Sequence, residues 1–294
     1  MRVMAAGPFV GEFGYELFDW QGYLRAIAPT FDRVIISTRP GHEALYSDFC
    51  QEFRPYWSPI PACVGRKNFR TSLPEVVAKD VFDDLKDPRF VKLPGGQQFK
   101  NTAPKYIRYG VAVPALKYDV VLHARSIKIA VKNKLGLSAT MRGLKEARNW
   151  LPEYWVELVG MLPGLRICSI GAIDGALYVP GTDNLLGLPL RELVNVLASS
   201  TVTVGPSSGA MHLATLCGCP QVVWFDQDAA AGPAKLVPRY TRDWNPFGTY
   251  VEVISDTWKP EPKRVAEAVK RTGEVLSKSP ERRVASAVPV GVPA

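Results

Sequence analysis

The stretch Thr201-Val-Thr-Val-Gly205-Pro-Ser-Ser-Gly209-Ala-Met-His212-Leu-Ala narrows the fold more than any other part of the chain. An apolar, β-branched run, Thr201–Val204, enters a turn of small residues, and a helix-compatible run, Ser208–Cys217, follows with Gly218 as its C-terminal cap. The first N–H groups of such a helix have no intrahelical partners, and the helix dipole is positive there. Small side chains at Ser207, Ser208 and Gly209 let an anion such as a phosphate approach those groups. A site of this kind at the carboxyl end of a parallel strand is where open α/β sheets hold ligands. His212, one turn in, could add a hydrogen bond. The same residues also suit an ordinary serine cap above a packed histidine.

The remainder repeats the strand–helix alternation, which predicts parallel sheets. Arg2–Ala6 reads as a strand, followed by the glycine loop Gly7–Gly14, an amphipathic run through Leu17, Phe18, Tyr23, Leu24 and Ile27, and the strand Arg33–Thr38. His42–Phe49 reads as a short helix. The interval 58–115 has poor periodicity, and every charged residue from Arg89 to Arg108 is basic, which suits either a solvated loop region or an anion-facing surface. A second half begins at Tyr118–His123. It continues with a helix from Pro152 to about Leu162, a strand Arg166–Ile170, a helix Leu190–Ser199, the Thr201–Cys217 unit and a strand Gln221–Phe225. A long loop over 226–249, a strand Val251–Ile254 and a helix Pro262–Leu276 complete it. At 294 residues the chain has room for about two domains. The boundaries expected are 1–115, 116–276 and a flexible tail 277–294.

Composition removes several classes. No apolar run is long enough for a transmembrane helix, and the N-terminal residues lack a signal-peptide core. Five cysteines at irregular spacing predict reduced thiols and a cytoplasmic location. Three histidines, and a Cys217-Gly218-Cys219 pair too close for the usual zinc spacing, predict no metal. Asp226-Gln227-Asp228 after a strand is a rival signal for a divalent cation, but it lies late in the chain. A formal charge of +8 suits phosphate-bearing ligands or nucleic acid without choosing between them.

Several segments occur in a recognisable order: Asn149-Trp150-Leu151-Pro152-Glu153-Tyr154-Trp155, Gly187 followed by Leu190-Arg191-Glu192-Leu193, and Ser207-Ser208-Gly209-Ala210-Met211-His212-Leu213-Ala214. This resembles the nucleotide-binding half of the heptosyltransferase-like glycosyltransferases of the GT-B fold. The resemblance covers about 118–255 by motif and the first half by architecture. It implies two Rossmann-like α/β domains facing across a cleft, with a nucleotide-sugar donor held mainly by the second. By position it carries Ser208, Gly209 and His212 over as diphosphate contacts, with Ser207 standing where the family has an acid. The loop after Gly171, including Asp174, becomes a wall of the nucleotide pocket.

Glycosyl transfer builds negative charge on the departing diphosphate, so fixed cations lower the barrier. Arg125 and Lys128, after the first strand of the second half, are expected to face the donor phosphates, with Arg148 a further candidate. An acceptor hydroxyl needs a proton acceptor. Glu12 holds the loop position where the resemblance implies one. Gly11 and Gly14 are expected to turn the backbone tightly around it. Tyr15, Arg239 and Trp244 are candidates for the acceptor side of the cleft. The implied activity is inverting, metal-independent and free of cofactors, with a cell-envelope glycan as acceptor. The alternatives are glycosylation of a hydroxylated base in DNA and a non-catalytic nucleotide or glycan binder. Oligomeric state is left open.

Overall fold

The computed structural model describes residues 1–57, 80–86, 102–126, 148–228 and 236–278, together with the backbone of 89–91. The chain divides into two compact units, Met1–Ile107 and Arg108–Ala294.

Unit 1 carries a four-stranded parallel sheet of β1 (Val3–Ala6), β2 (Arg33–Thr38), β3 (Glu52–Pro55) and β4 (Arg89–Val91), in the order β3-β2-β1-β4. All four β1 residues are buried, as expected of a strand covered on both faces. Because β1 lies between β2 and β4, the loop leaving its carboxyl end sits where the strand order reverses. That loop turns at Gly7, with φ +113°, where a Cβ would lie 2.1 Å from the Ser37 carbonyl oxygen. Gly11 and Gly14, expected to make the tight turn, both lack positive φ; the turn requiring glycine comes earlier.

The amphipathic run after the loop is helical but not uniformly α. One α turn, Phe13–Tyr15, leads into a π-helical stretch, Glu16–Trp20, and then α1 (Gln21–Ile27). The wider π geometry lets Glu16, Leu17, Phe18 and Trp20 all be buried, more of the surface than an α stripe would cover. The expected helix His42–Phe49 contracts to a single 3-10 turn, Glu43–Leu45.

Unit 2 carries β5 (Val120–Leu122), β6 (Ile167–Gly171), β7 (Asp183–Leu186), β8 (Val202–Pro206), β9 (Gln221–Trp224) and β10 (Val251–Ile254). All pairings are parallel, and the order is β7-β6-β5-β8-β9-β10. Counted within the unit, that is 3-2-1-4-5-6, the doubly wound order with its switch point between the first and fourth strands. The helices are α2 (Pro152–Gly160), α3 (Leu190–Ser199), α4 (Gly209–Leu216) and α5 (Pro262–Lys278). Trp150, Trp155 and Trp224 meet edge-on or tilted in the core, with Trp150 centroids 4.7 and 4.9 Å from the other two. Trp150 Nε1 donates to the Pro260 carbonyl at 2.9 Å, which satisfies its one polar atom. Within the expected 226–249 loop, Leu236–Pro238 and Arg239–Asp243 are helical. Ser277 and Lys278 close α5, and the rest of the expected tail lies outside the described residues.

Candidate functional site

The carboxyl ends of β5 and β8 flank the switch point of unit 2. From β8 the chain passes through Ser207 and Ser208 into α4. Ser208 is the N-cap residue with extended backbone, but its side chain makes no cap hydrogen bond, and its Oγ is buried without a partner among the described residues. The Ser208 N–H donates instead to the Tyr240 hydroxyl at 3.3 Å, and that hydroxyl donates to Ser207 Oγ at 3.0 Å. The N–H groups of Gly209, Ala210 and Met211 have no acceptor among the described residues; regular helix bonding starts with His212 N–H to the Ser208 carbonyl. A helix start thus presents a row of donors at the sheet edge.

Aromatic rings build one side of this seat. Phe225 stacks on Tyr240 at 5.8 Å, Tyr240 on His212 at 4.5 Å, and Trp244 meets His212 edge-on at 4.7 Å. His212 is 5% exposed, and burial, then Arg239 and Arg148, drive its pKa well below the ordinary value, so it is a neutral packed ring at pH 7. Burial pushes the Tyr240 phenol up to about 12, keeping it a hydrogen-bonding OH.

Three arginines come from three elements. Arg148, preceding α2, donates to the Ser207 carbonyl and lies over Trp258 at 5.2 Å. Arg125, 5% exposed beyond β5, donates to Asn149 Oδ1 at 2.6 Å, next in sequence to Arg148. Arg239 stacks on Trp244 at 4.4 Å and carries no ion pair among the described residues. Burial first, and then Arg125 and Arg148, push His123 down to about 4, although the Ile170 carbonyl pulls the other way. An edge with this surplus of cations suits an anion.

The loop after β6 is sewn to the chain after β5. Ser126 N–H donates to the Gly175 carbonyl, and Leu177 N–H to the Ala124 carbonyl, at 2.9 and 2.7 Å. Gly171 has φ +134°, and a Cβ there would stand 2.5 Å from the Ala176 Cβ and 3.1 Å from His123 Nδ1. Asp174 is exposed at the tip of this loop.

In unit 1, Glu12 caps the Phe13–Tyr15 turn with its backbone, its carbonyl accepting from Tyr15 and Glu16 N–H at 3.0 and 3.1 Å. Its side chain makes no cap hydrogen bond. Glu12, Gly14 and Tyr15 are half-buried, and Gly11 is buried.

The fold has known counterparts. The ADP-heptose lipopolysaccharide heptosyltransferase II of E. coli superposes with a TM-score of 0.52 at 14% identity, over 95% of this chain and all of that one. A glycosyltransferase family 9 structure from Veillonella parvula gives 0.52 at 9% identity, over 94% and 96%. No family model matches the chain, and no curated protein matches it significantly. The fold is that of the heptosyltransferase-like GT-B glycosyltransferases.

Within this GT-B framework, the residues singled out in the sequence fall into groups. Ser207, Ser208, Gly209 and His212 meet at the start of α4. Trp244, expected with Arg239 on the acceptor side, packs against His212 in unit 2, and Arg239 stacks on Trp244. Arg125 joins the same edge through Asn149. Gly171 and Asp174 lie on the neighbouring loop. Gly11, Glu12, Gly14 and Tyr15 lie at the switch point of unit 1. Lys128 lies outside the described residues. Tyr240, which the sequence groups with Arg239, Arg242 and Trp244 as cationic and stacking residues near the expected cleft, has a hydroxyl that reaches both serines from more than thirty residues away. Among the described residues no cluster of His, Cys, Asp or Glu could hold a metal ion. Asp226 and Asp228 form a local turn, with Asp228 N–H on Asp226 Oδ1 at 3.0 Å.

Proposed function

We propose that this chain is a nucleotide-sugar-dependent glycosyltransferase that transfers its sugar with inversion and without a metal ion. The observation that carries the reading is the row of open amides at the start of α4, set at the unit 2 switch point beside Arg125, Arg148 and Arg239. A diphosphate seated there is held by N–H donors and guanidinium groups that strengthen their hold as charge builds on the leaving group. The loop from Gly171 to Ala176 walls the nucleotide, with Asp174 at its tip. Residues 1–115 form the acceptor side, with a glycan hydroxyl as acceptor. Glu12 receives the proton as that hydroxyl oxygen bonds to the sugar carbon and the carbon–phosphate oxygen bond breaks. Ser207, in the position of an acid, gives the seat one negative charge fewer, which favours a diphosphate.

Two experiments test this. A thermal-shift screen of ADP, UDP, GDP and TDP with their sugar conjugates should raise the melting temperature with at least one of them, because a ligand bound only to the native state stabilises it by mass action. With the active donor in hand, Glu12→Gln should lower kcat about a hundredfold to ten-thousandfold while leaving nucleotide affinity intact. Wild-type turnover in that variant removes Glu12 from the role. Silence across the whole screen removes the donor reading.

A further inference from the structure

Glu16, four residues after Glu12, is a fully buried carboxylate that the proposed reaction does not use. Its Oε1 accepts from Thr38 Oγ1 and the Tyr46 hydroxyl, both at 2.8 Å. Its Oε2 accepts from His42 Nδ1 at 2.8 Å and faces the Arg39 guanidinium at 3.5 Å. Burial alone pushes a carboxyl pKa up, but His42, Arg39 and the hydrogen bonds outweigh it, and the carboxylate is charged. A buried charge is costly to keep, and apolar packing would do the structural work as well.

The two groups on Oε2 lead to the chain on either side of Glu12. Arg39 donates to the carbonyls of Val10 and Gly11 at 2.7 and 2.5 Å. The His42 ring packs against Phe13 at 5.2 Å. Glu12 therefore sits between two points that a single buried carboxylate holds, and a third hold is the Glu16 N–H on the Glu12 carbonyl at 3.1 Å.

We propose that Glu16 is a positioning residue for Glu12, acting through Arg39 before it and His42 after it. The inference rests on the assignment of Glu12 as proton acceptor. On the Oε1 side, Thr38 Oγ1 also reaches the Phe9 carbonyl at 3.3 Å, whereas the Tyr46 ring packs against Phe49 and Phe53 at 6.0 and 6.3 Å, so Tyr46 is the partner that separates support of the fold from positioning.

The test compares Glu16→Gln, Arg39→Lys and Tyr46→Phe in the full chain by hydrogen exchange and by turnover. Arg39 is partly exposed and lysine keeps its charge, so Arg39→Lys gives a folded protein even where Glu16→Gln does not. A lysine ammonium cannot span two carbonyls and a carboxylate as the guanidinium does. In Arg39→Lys and Glu16→Gln the amides of residues 10–13 should exchange at least tenfold faster. With the nucleotide sugar found in the thermal-shift screen, kcat should fall about thirtyfold or more at unchanged donor KM. Tyr46→Phe should lower the melting temperature yet leave both exchange at 10–13 and kcat as in the wild type. Wild-type exchange and kcat in Arg39→Lys overturn the positioning role, as does an equal loss of kcat in Tyr46→Phe. Full turnover in Glu12→Gln instead overturns the assignment on which the inference rests.

Discussion

A histidine with no room to take a proton reports its surroundings through pH. His123 is 8% exposed at the end of β5, and its pKa is held at about 4 against an ordinary 6.5. The folded value lies below the unfolded one, so the unfolded chain binds the proton first. The stabilisation from the neutral ring is complete above pH 6.5 and is lost as pH falls toward 4. At about 1.4 kcal/mol per pH unit, the loss amounts to about 3 kcal/mol. Urea unfolding of unit 2 at pH 7 and pH 4 should show it, and His123→Gln should reduce the difference by that amount. An unchanged difference would mean that the ring takes its proton as readily in the fold as in the unfolded chain. The same residue shows what a linear reading misses. His123 was visible as the end of a strand, but the arginines that depress it approach from Arg125 and from Arg148, the latter twenty-five positions on.

Elements position the site through close approach as much as through side-chain chemistry. The loop from Gly171 to Ala176 can be sewn to the chain after β5 only because residue 171 has no Cβ. Gly171→Ala combines a left-handed backbone with a 2.5 Å overlap on Ala176. It should cost about 2 kcal/mol or more, read as a lower urea midpoint at constant m value. It should also weaken nucleotide binding, because the loop must move away from β5. The element reading of the sequence was strongest where one period dominates: Arg33–Thr38, Leu190–Ser199 and Val251–Ile254 match their elements residue for residue. It was weakest at Glu16–Trp20, where a π-helical turn buries Glu16 and Trp20 beside the expected Leu17 and Phe18, and at Arg239–Asp243, read as part of a loop and found helical. β3 and β4 went unread, since Glu52–Pro55 carries two charges and a proline and Arg89–Val91 lies in the interval of poor periodicity.

For the whole molecule, charge is the property that separates the proposed acceptors. With a net +8, the chain has the sign needed for a duplex. A DNA acceptor would require several lysines and arginines to displace counterions together, and that produces a steep dependence on salt. Arg125, Arg148 and Arg239 are instead engaged with Asn149, the Ser207 carbonyl and Trp244 around one helix start. We therefore expect duplex binding to be weak at 50 mM salt and negligible at 200 mM, by filter binding. Tight binding with a log–log slope steeper than about −5 would shift the acceptor from a glycan to DNA.

The sequence by itself determined the alternation of strands and helices, the parallel sheets that follow from it, and the small-residue turn that opens α4. Each of these is local: a period, a breaker or a cap is written within about ten neighbouring residues. The tertiary structure alone decided which strands flank each switch point. It alone placed the Tyr240 hydroxyl on the two serines and gathered Thr38, Arg39, His42 and Tyr46 around the Glu16 carboxylate. Those arrangements depend on burial. A charge or a hydroxyl removed from water must find partners wherever the fold brings them, and no spacing along the chain records which ones they will be.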